Sequence, residues 1–238
     1  MRRDDQRART RECKLGATFT QTTVDQEGRP IRDSDSTTYV GAIETTDEFG
    51  FRIYTEAFRR GWEWAKFKVV LGDGAPWIWN LAHQHFPGAI YIVDLYHARE
   101  HLWDTAALLH PNHPAAKNGW MAPMKDLLDG GEIETLVVRL REIAAEHAVA
   151  RPGLTQEILK HAEYFETNAS RMRYPHFRAM GLFVGSGVIE AGCKTVVGTR
   201  LKRSGMFWTV RGANAIIALR CCRLNGRFED YWEDARAA

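Results

Sequence analysis

Val69-Val70-Leu71-Gly72-Asp73-Gly74-Ala75-Pro76 and, shortly after it, Ala89-Ile90-Tyr91-Ile92-Val93-Asp94-Leu95-Tyr96-His97 decide the fold of this chain. Each stretch is a short apolar run rich in β-branched residues that ends in a carboxylate, as a strand buried on both faces would. Pro76 suits the first turn of a helix, which the pattern carries through His85, and a second helix follows Asp94 from about Tyr96. A strand–helix–strand unit with so short a crossover predicts parallel neighbouring strands. Ligands and catalytic groups of such sheets gather at the carboxyl ends of the strands. Asp73 and Asp94 are therefore expected on one edge.

Upstream, Leu15–Thr22 alternates as a strand, 24–36 reads as a hairpin loop with Gly28 and Pro30, and Thr37–Ile43 is the returning strand. Thr45 followed by Glu48 is a capping-box pattern, and Phe49, Ile53, Ala57 and Gly61 continue it as one helical stripe. Downstream, from about Leu102 to Phe177, only helical periodicity is present, in stripes such as Ile133, Leu136, Val137 and Leu140. The predicted organisation is a polar basic tail over 1–13, an α/β core over 14–101 and 181–238, and an all-helical insertion over 102–180. Ser186 is expected to cap a helix bearing Glu190, and a last helix covers roughly Val210–Leu224.

With 238 residues, 45% hydrophobic and 26% charged, the chain can build one substantial core and a subsidiary helical unit. Its apolar runs are too short to cross a bilayer and Met1 is followed by an Arg-rich polar stretch, so the expectation is a cytoplasmic protein with no membrane partner. Four cysteines without a CxxC pair fit a reducing compartment. The net charge is only +2, but no acidic residue lies between Glu190 and Glu229, whereas Lys194, Arg200, Lys202, Arg203, Arg211, Arg220, Arg223 and Arg227 do. One sign collected at one end points to a polyanionic partner. Within that segment Phe207 and Trp208 lie in a basic loop, where stacking on an unpaired base competes with burial of Trp208 under the last helix. Trp62, Trp64, Trp77, Trp79 and Trp103 read as core.

Two strand-end carboxylates and one from a later helix would suit Mg²⁺ or Mn²⁺, which take hard oxygen ligands. Asp73 and Glu190 are the candidate ligands, with Asp94 and His97 in support. Simpler roles compete: Asp73 as a turn residue between glycines, Glu190 as a helix-dipole partner, Asp94 as a cap. His97-Ala98-Arg99-Glu100-His101 also matches the H-x-x-E-H pattern of inverted zinc hydrolases.

Val70–Ala75, Ile92–Leu102 and Gly185-Ser186-Gly187-Val188-Ile189-Glu190-Ala191-Gly192-Cys193-Lys194 together resemble insertion-sequence transposases of the ISKra group, relatives of Mutator-like DDE transposases. Arg200–Trp208 and Arg220–Phe228 fit the same group, and the similarity runs from about Ala8 onward. The resemblance implies a ribonuclease H-like mixed sheet with an all-α insertion and a helical carboxyl-terminal segment. It implies Mg²⁺- or Mn²⁺-dependent cleavage and strand transfer on double-stranded DNA by a homo-oligomer. Asp73 matches the second catalytic acid, Glu190 the third, and Asp94 with His97 an Asp-x-x-His signature. Lys194, Arg200, Lys202, Arg203, Trp208 and Arg211 would contact DNA. One element departs from the pattern: no apolar strand bearing a first Asp precedes Lys14, since Asp4 and Asp5 lie in an Arg-rich stretch and Asp25, Asp33 and Asp35 in the hairpin loop. The chain is therefore expected to be an amino-terminally truncated catalytic region, inactive alone. The alternative is a DNA-binding or assembly fragment without catalysis.

Overall fold

A computed structural model describes residues 10–185 and 187–230; most of the predicted basic tail, the Ser186 cap and the last eight residues lie outside them. The chain is mixed α/β, mostly helical with small sheets. Strand β1 (Lys14–Thr18) pairs antiparallel with β4 (Thr38–Ala42), Lys14 opposite Ala42 and Thr18 opposite Thr38. The loop between them carries its own two-residue ladder, β2 (Thr23–Val24) with β3 (Pro30–Ile31). The first strand is thus shorter than the alternation predicts. Beyond Thr18 the loop turns on side chains, with Asp33 Oδ1 accepting from the Thr22 amide at 2.9 Å and Ser36 Oγ from the Thr20 amide at 3.2 Å.

Helix α1 (Thr46–Arg59) opens with the expected capping box, Thr45 and Glu48 each satisfying the other's backbone N–H. It lies on the β1–β4 pair at Gly16, where a Cβ would come within 2.7 Å of Ile53 Cδ1. The same helix buries Gly50 against His85 of α2 (Pro76–His85), so it underlies both halves of the core. Strands β5 (Val69–Gly72) and β6 (Ile90–Val93) flank α2 and pair in parallel, Gly72 opposite Val93, as the two apolar runs predict.

The outer edge of β4 is closed by side chains rather than by another strand. Asn225 accepts from the Tyr39 amide at 2.7 Å and donates to the Tyr39 carbonyl at 2.9 Å. Asn214 does the same for Ile43 at 2.7 and 3.1 Å. Asn214 lies within α10 (Val210–Leu224), whose bounds match the sequence reading, and Asn225 is its C-cap residue. Two carboxamides four strand residues apart thereby replace the ladder that an edge strand would otherwise leave open. Beyond α10, Arg227 forks onto the buried carboxylate of Glu56 with two bonds of 2.8 Å, fastening the end of the chain to α1.

Helix α3 (Leu95–Leu109) runs uninterrupted through the predicted boundary at 101/102, so the insertion is not set off by a linker. Helices α4 (Pro114–Asp129), α5 (Ile133–His147), α6 (Pro152–Asn168) and α7 (Tyr174–Ala179) follow, and the described residues of 102–180 contain no strand. Ile92, Val93 and Leu102 pack in the same apolar cluster as Leu136, Leu140, Ile158 and Phe165. Sheet and insertion therefore share one core. The tryptophan reading needs correction: Trp79 is buried, but Trp64 is 88% exposed and Trp103 43% exposed. Trp103 sits on the outer side of α3, whose inward face is filled by Leu102 and Thr105, and Trp64 ends a short 3-10 turn, Trp62–Trp64, in which no residue is buried.

Candidate active site at the carboxyl ends of the parallel strands

Asp73 and Asp94 each stand one residue beyond the paired residues Gly72 and Val93, and the Asp94 amide donates to the Gly72 carbonyl at 2.7 Å. The ladder thus sets the two acids side by side. Asp73 is exposed, its Oδ1 accepting from the Ala75 amide at 2.9 Å. Asp94 caps α3, accepting from Tyr96 and His97 amides at 2.8 and 3.3 Å. Its capping role coexists with its place beside Asp73.

Sequence reading missed the residue that fixes this edge. The Tyr164 hydroxyl, from α6, donates to the Asp73 carbonyl at 2.8 Å. Gly74 has φ of +97°, and a Cβ there would lie 2.6 Å from the Tyr164 ring, so the turn accepts only glycine while the tyrosine is in place. Burial, then the charges of Asp73, Asp94 and Glu100, push the Tyr164 hydroxyl well above its ordinary pKa, so it stays a donor. No local pattern could have identified it, because it acts across 91 residues.

The histidines are arranged differently from a zinc hydrolase. His97 Nδ1 meets Glu100 Oε2 at 3.0 Å, within its own helix. His101 stacks on Tyr164 with ring centroids 3.7 Å apart, and its Nδ1 lies 3.0 Å from His161 Nδ1 of α6. At that distance one ring must donate and the other accept, so the neutral pair carries one shared hydrogen. Burial, then the neighbouring His161 and His97, lower the pKa of His101 to about 4; burial lowers that of His161. The two histidines of the H-x-x-E-H run meet edge to face, with ring centroids 5.2 Å apart, and each also engages a partner of its own, Glu100 and His161.

The chain returns to this edge at 181–185. The Leu95 amide donates to the Val184 carbonyl at 2.8 Å, and a Cβ on Gly185 would stand 3.7 Å from Asp94 Oδ1. Helix α8 (Gly187–Gly192) begins two residues later with Glu190 exposed in its first turn. It leans on the other sheet pair, Gly192 against Tyr39 and Leu15, with the Tyr39 hydroxyl donating to the Val188 carbonyl at 3.3 Å. Asp73 and Asp94 are brought together; Glu190 is not gathered with them. Among the described residues no three His, Cys, Asp or Glu side chains form a group that could hold a metal ion. The donor chemistry of Asp73 and Asp94 suits a hard cation, but their number falls short of a complete site.

After α8 comes a π-helical turn, Cys193–Gly198, then α9 (Thr199–Leu201) and a loop into α10. Lys194, Arg200, Lys202, Arg203 and Arg211 are all exposed along this path. Trp208, 40% exposed, is not buried under the last helix; its ring rests beside Gly212, while Thr209 caps α10 through the Gly212 amide at 3.0 Å.

No family model, curated protein or solved structure matches the chain. No described helix is long and apolar enough to cross a membrane.

Proposed function

We propose that this chain is the catalytic region of an insertion-sequence DNA transposase of the ISKra type, with a ribonuclease H-like core. Its reaction is phosphoryl transfer on double-stranded DNA: strand cleavage at element ends followed by strand transfer, in the cytoplasm, by copies assembled on DNA. The observation that carries this reading is the pairing of Asp73 and Asp94 at the carboxyl ends of adjacent parallel strands, with an acid-free basic segment leading away from Glu190. The antiparallel β1–β4 pair, the parallel β5–β6 pair and the helical unit between Asp94 and Glu190 support the same fold.

In this reading Asp73 and Glu190 would hold Mg²⁺ or Mn²⁺ once Glu190, which stands apart from Asp73 here, is brought to it, Asp94 and His97 would support them, and the ion would supply positive charge for phosphoryl transfer. This chain's own residues do the positioning. Tyr164 fixes the turn that presents Asp73, Gly185 lets the returning loop pass against the Tyr96 ring beside Asp94, and Lys194, Arg200, Lys202, Arg203 and Arg211 bind phosphates. The reading also calls for a further acid, on a strand that in this pattern precedes β1. The strands form three separate two-stranded sheets, and among the described residues no strand joins β1–β4 to β5–β6.

The expected behaviour of the 238-residue chain is DNA binding without efficient cleavage. Binding of a fluorescent duplex should weaken with salt, with a log–log slope of about −4.5 for five phosphate contacts. Binding insensitive to salt, or none, would overturn the reading, and vigorous Mg²⁺-dependent nicking of supercoiled DNA would overturn the claim that an acid is missing. The lack of a three-ligand group among the described residues favours one second reading, a DNA-binding or assembly fragment that performs no chemistry.

A further inference from the structure

The loop before α10 and the exposed side of that helix enclose a cleft of about 660 Å³. Its polar lining includes three guanidinium groups, from Arg200, Arg220 and Arg223, against the single carboxylate of Glu229. Met206, Trp208 and Phe228 provide flat or pliable apolar surface between them. None of the three arginines forms an ion pair among the described residues, although Arg220 is anchored by donating its Nε to the Thr195 carbonyl at 2.6 Å. Trp208 is held in place because Gly212 offers its ring a surface without a side chain and the adjoining Thr209 fixes the start of α10.

This combination discriminates among ligands. An excess of positive charge, three guanidiniums against one carboxylate, disfavours a purely apolar occupant, which would strip water from these groups without replacing their bonds. An aromatic slab with cations at its margins suits a ligand that is itself a flat ring joined to an anion. A nucleobase with its phosphate has that form, and base–aromatic stacking tolerates any sequence. Double-stranded DNA cannot offer a base face to Trp208, because each face is covered by its neighbours in the stack. A base must be unpaired to enter.

We propose that the Arg200–Trp208–Arg220–Arg223 cleft seats an unpaired nucleotide of a DNA single strand, its base on Trp208 and its phosphates on the arginines. This rests on the nucleic-acid reading above but not on the acids or on any metal. It assigns the carboxyl-terminal segment two jobs, duplex phosphate contacts on Lys194, Lys202 and Arg203 and capture of a frayed or protruding end in the cleft.

The test compares a blunt duplex with the same duplex carrying a short unpaired extension, by fluorescence anisotropy at fixed salt. The extension should tighten binding about tenfold, the effect of one good stack. In W208A the ratio of the two affinities should fall to about one, and in W208F much of it should return. The R200A/R223A pair should weaken binding of the extended DNA more than the blunt DNA and reduce its salt slope by about two. Thermal melts of each variant confirm that the exposed cleft was altered without unfolding the chain. Equal wild-type affinities for both DNAs, or W208A lowering both equally, would overturn the proposal while leaving the transposase reading intact. Binding of neither DNA would overturn both, and an extended strand displaced equally well by an acidic peptide would overturn the cleft's assignment to nucleotides.

Discussion

The two ends of the core treat their acids differently. At the β5–β6 end, the carboxylates of Asp73 and Asp94 are set by ladder register, by a glycine turn and by a tyrosine from the insertion, with a shared apolar core beneath. At the β1–β4 end, Glu190 stands exposed on a helix of one and a half turns that leads into an exposed basic path. The difference teaches where preorganisation has been completed: Asp73 and Asp94 are fixed by bonds within the chain, whereas under the proposed function Glu190 would be drawn to them only with DNA bound. Outside the site the β1–β4 end is firmly built, since α10 closes the β4 edge and Arg227 locks the tail to α1.

Removing that lock should have the largest effect on stability. In R227A the Glu56 carboxylate, 3% exposed, loses both of its guanidinium bonds. A loss of about 3 kcal/mol is expected in urea unfolding, toward the low end for broken buried pairs because Arg227 itself is partly open to water. No change would mean that the tail is not held in this way. G74A should come next. Its φ of +97° and the 2.6 Å approach to Tyr164 together cost about 2 kcal/mol, and Y164A should relieve part of that cost in the double variant. Additive losses would show that Tyr164 does not press on the turn. Y164F removes only the bond to the Asp73 carbonyl, for about 1 kcal/mol.

Such contrasts also show what local sequence carries. The carboxylate-terminated apolar runs reveal the parallel pair, because both of its faces are at least partly covered and neither calls for polar alternation. Thr45 with Glu48 reveals a helix start for an equally local reason. Periodicity cannot register Tyr164 reaching the Asp73 turn, His161 facing His101 or Asn214 and Asn225 closing β4, since each joins residues at least 60 positions apart. Exposed Trp64 and Trp103 mislead for the complementary reason: residue type alone does not reveal which side of a turn the core occupies.

The smallest expected effect is on pH dependence. His101 and His161 are held neutral by burial, with Asp104 and Glu157 opposing the shift at His161, Lys160 adding to it, and His97, Asp104 and Asp73 felt at His101. Their folded pKa values are depressed, so the unfolded chain binds more protons below about 6.5, the ordinary imidazole value. Stability should be fully present above that pH and fall as pH drops toward 4, where His101 takes its proton. Thermal melts should show the midpoint falling over this window, and a H101Q/H161Q variant should lose part of that dependence. An unaltered profile in the variant would mean that the pair does not set it.

The acids themselves are best tested by Mn²⁺ titration followed by electron paramagnetic resonance, on the wild type, D73N, D94N and E190Q, in the presence of duplex DNA. Binding that is lost in D73N and weakened in D94N and E190Q is expected if these carboxylates meet around a divalent ion. Mn²⁺ affinity unchanged by D73N would contradict it.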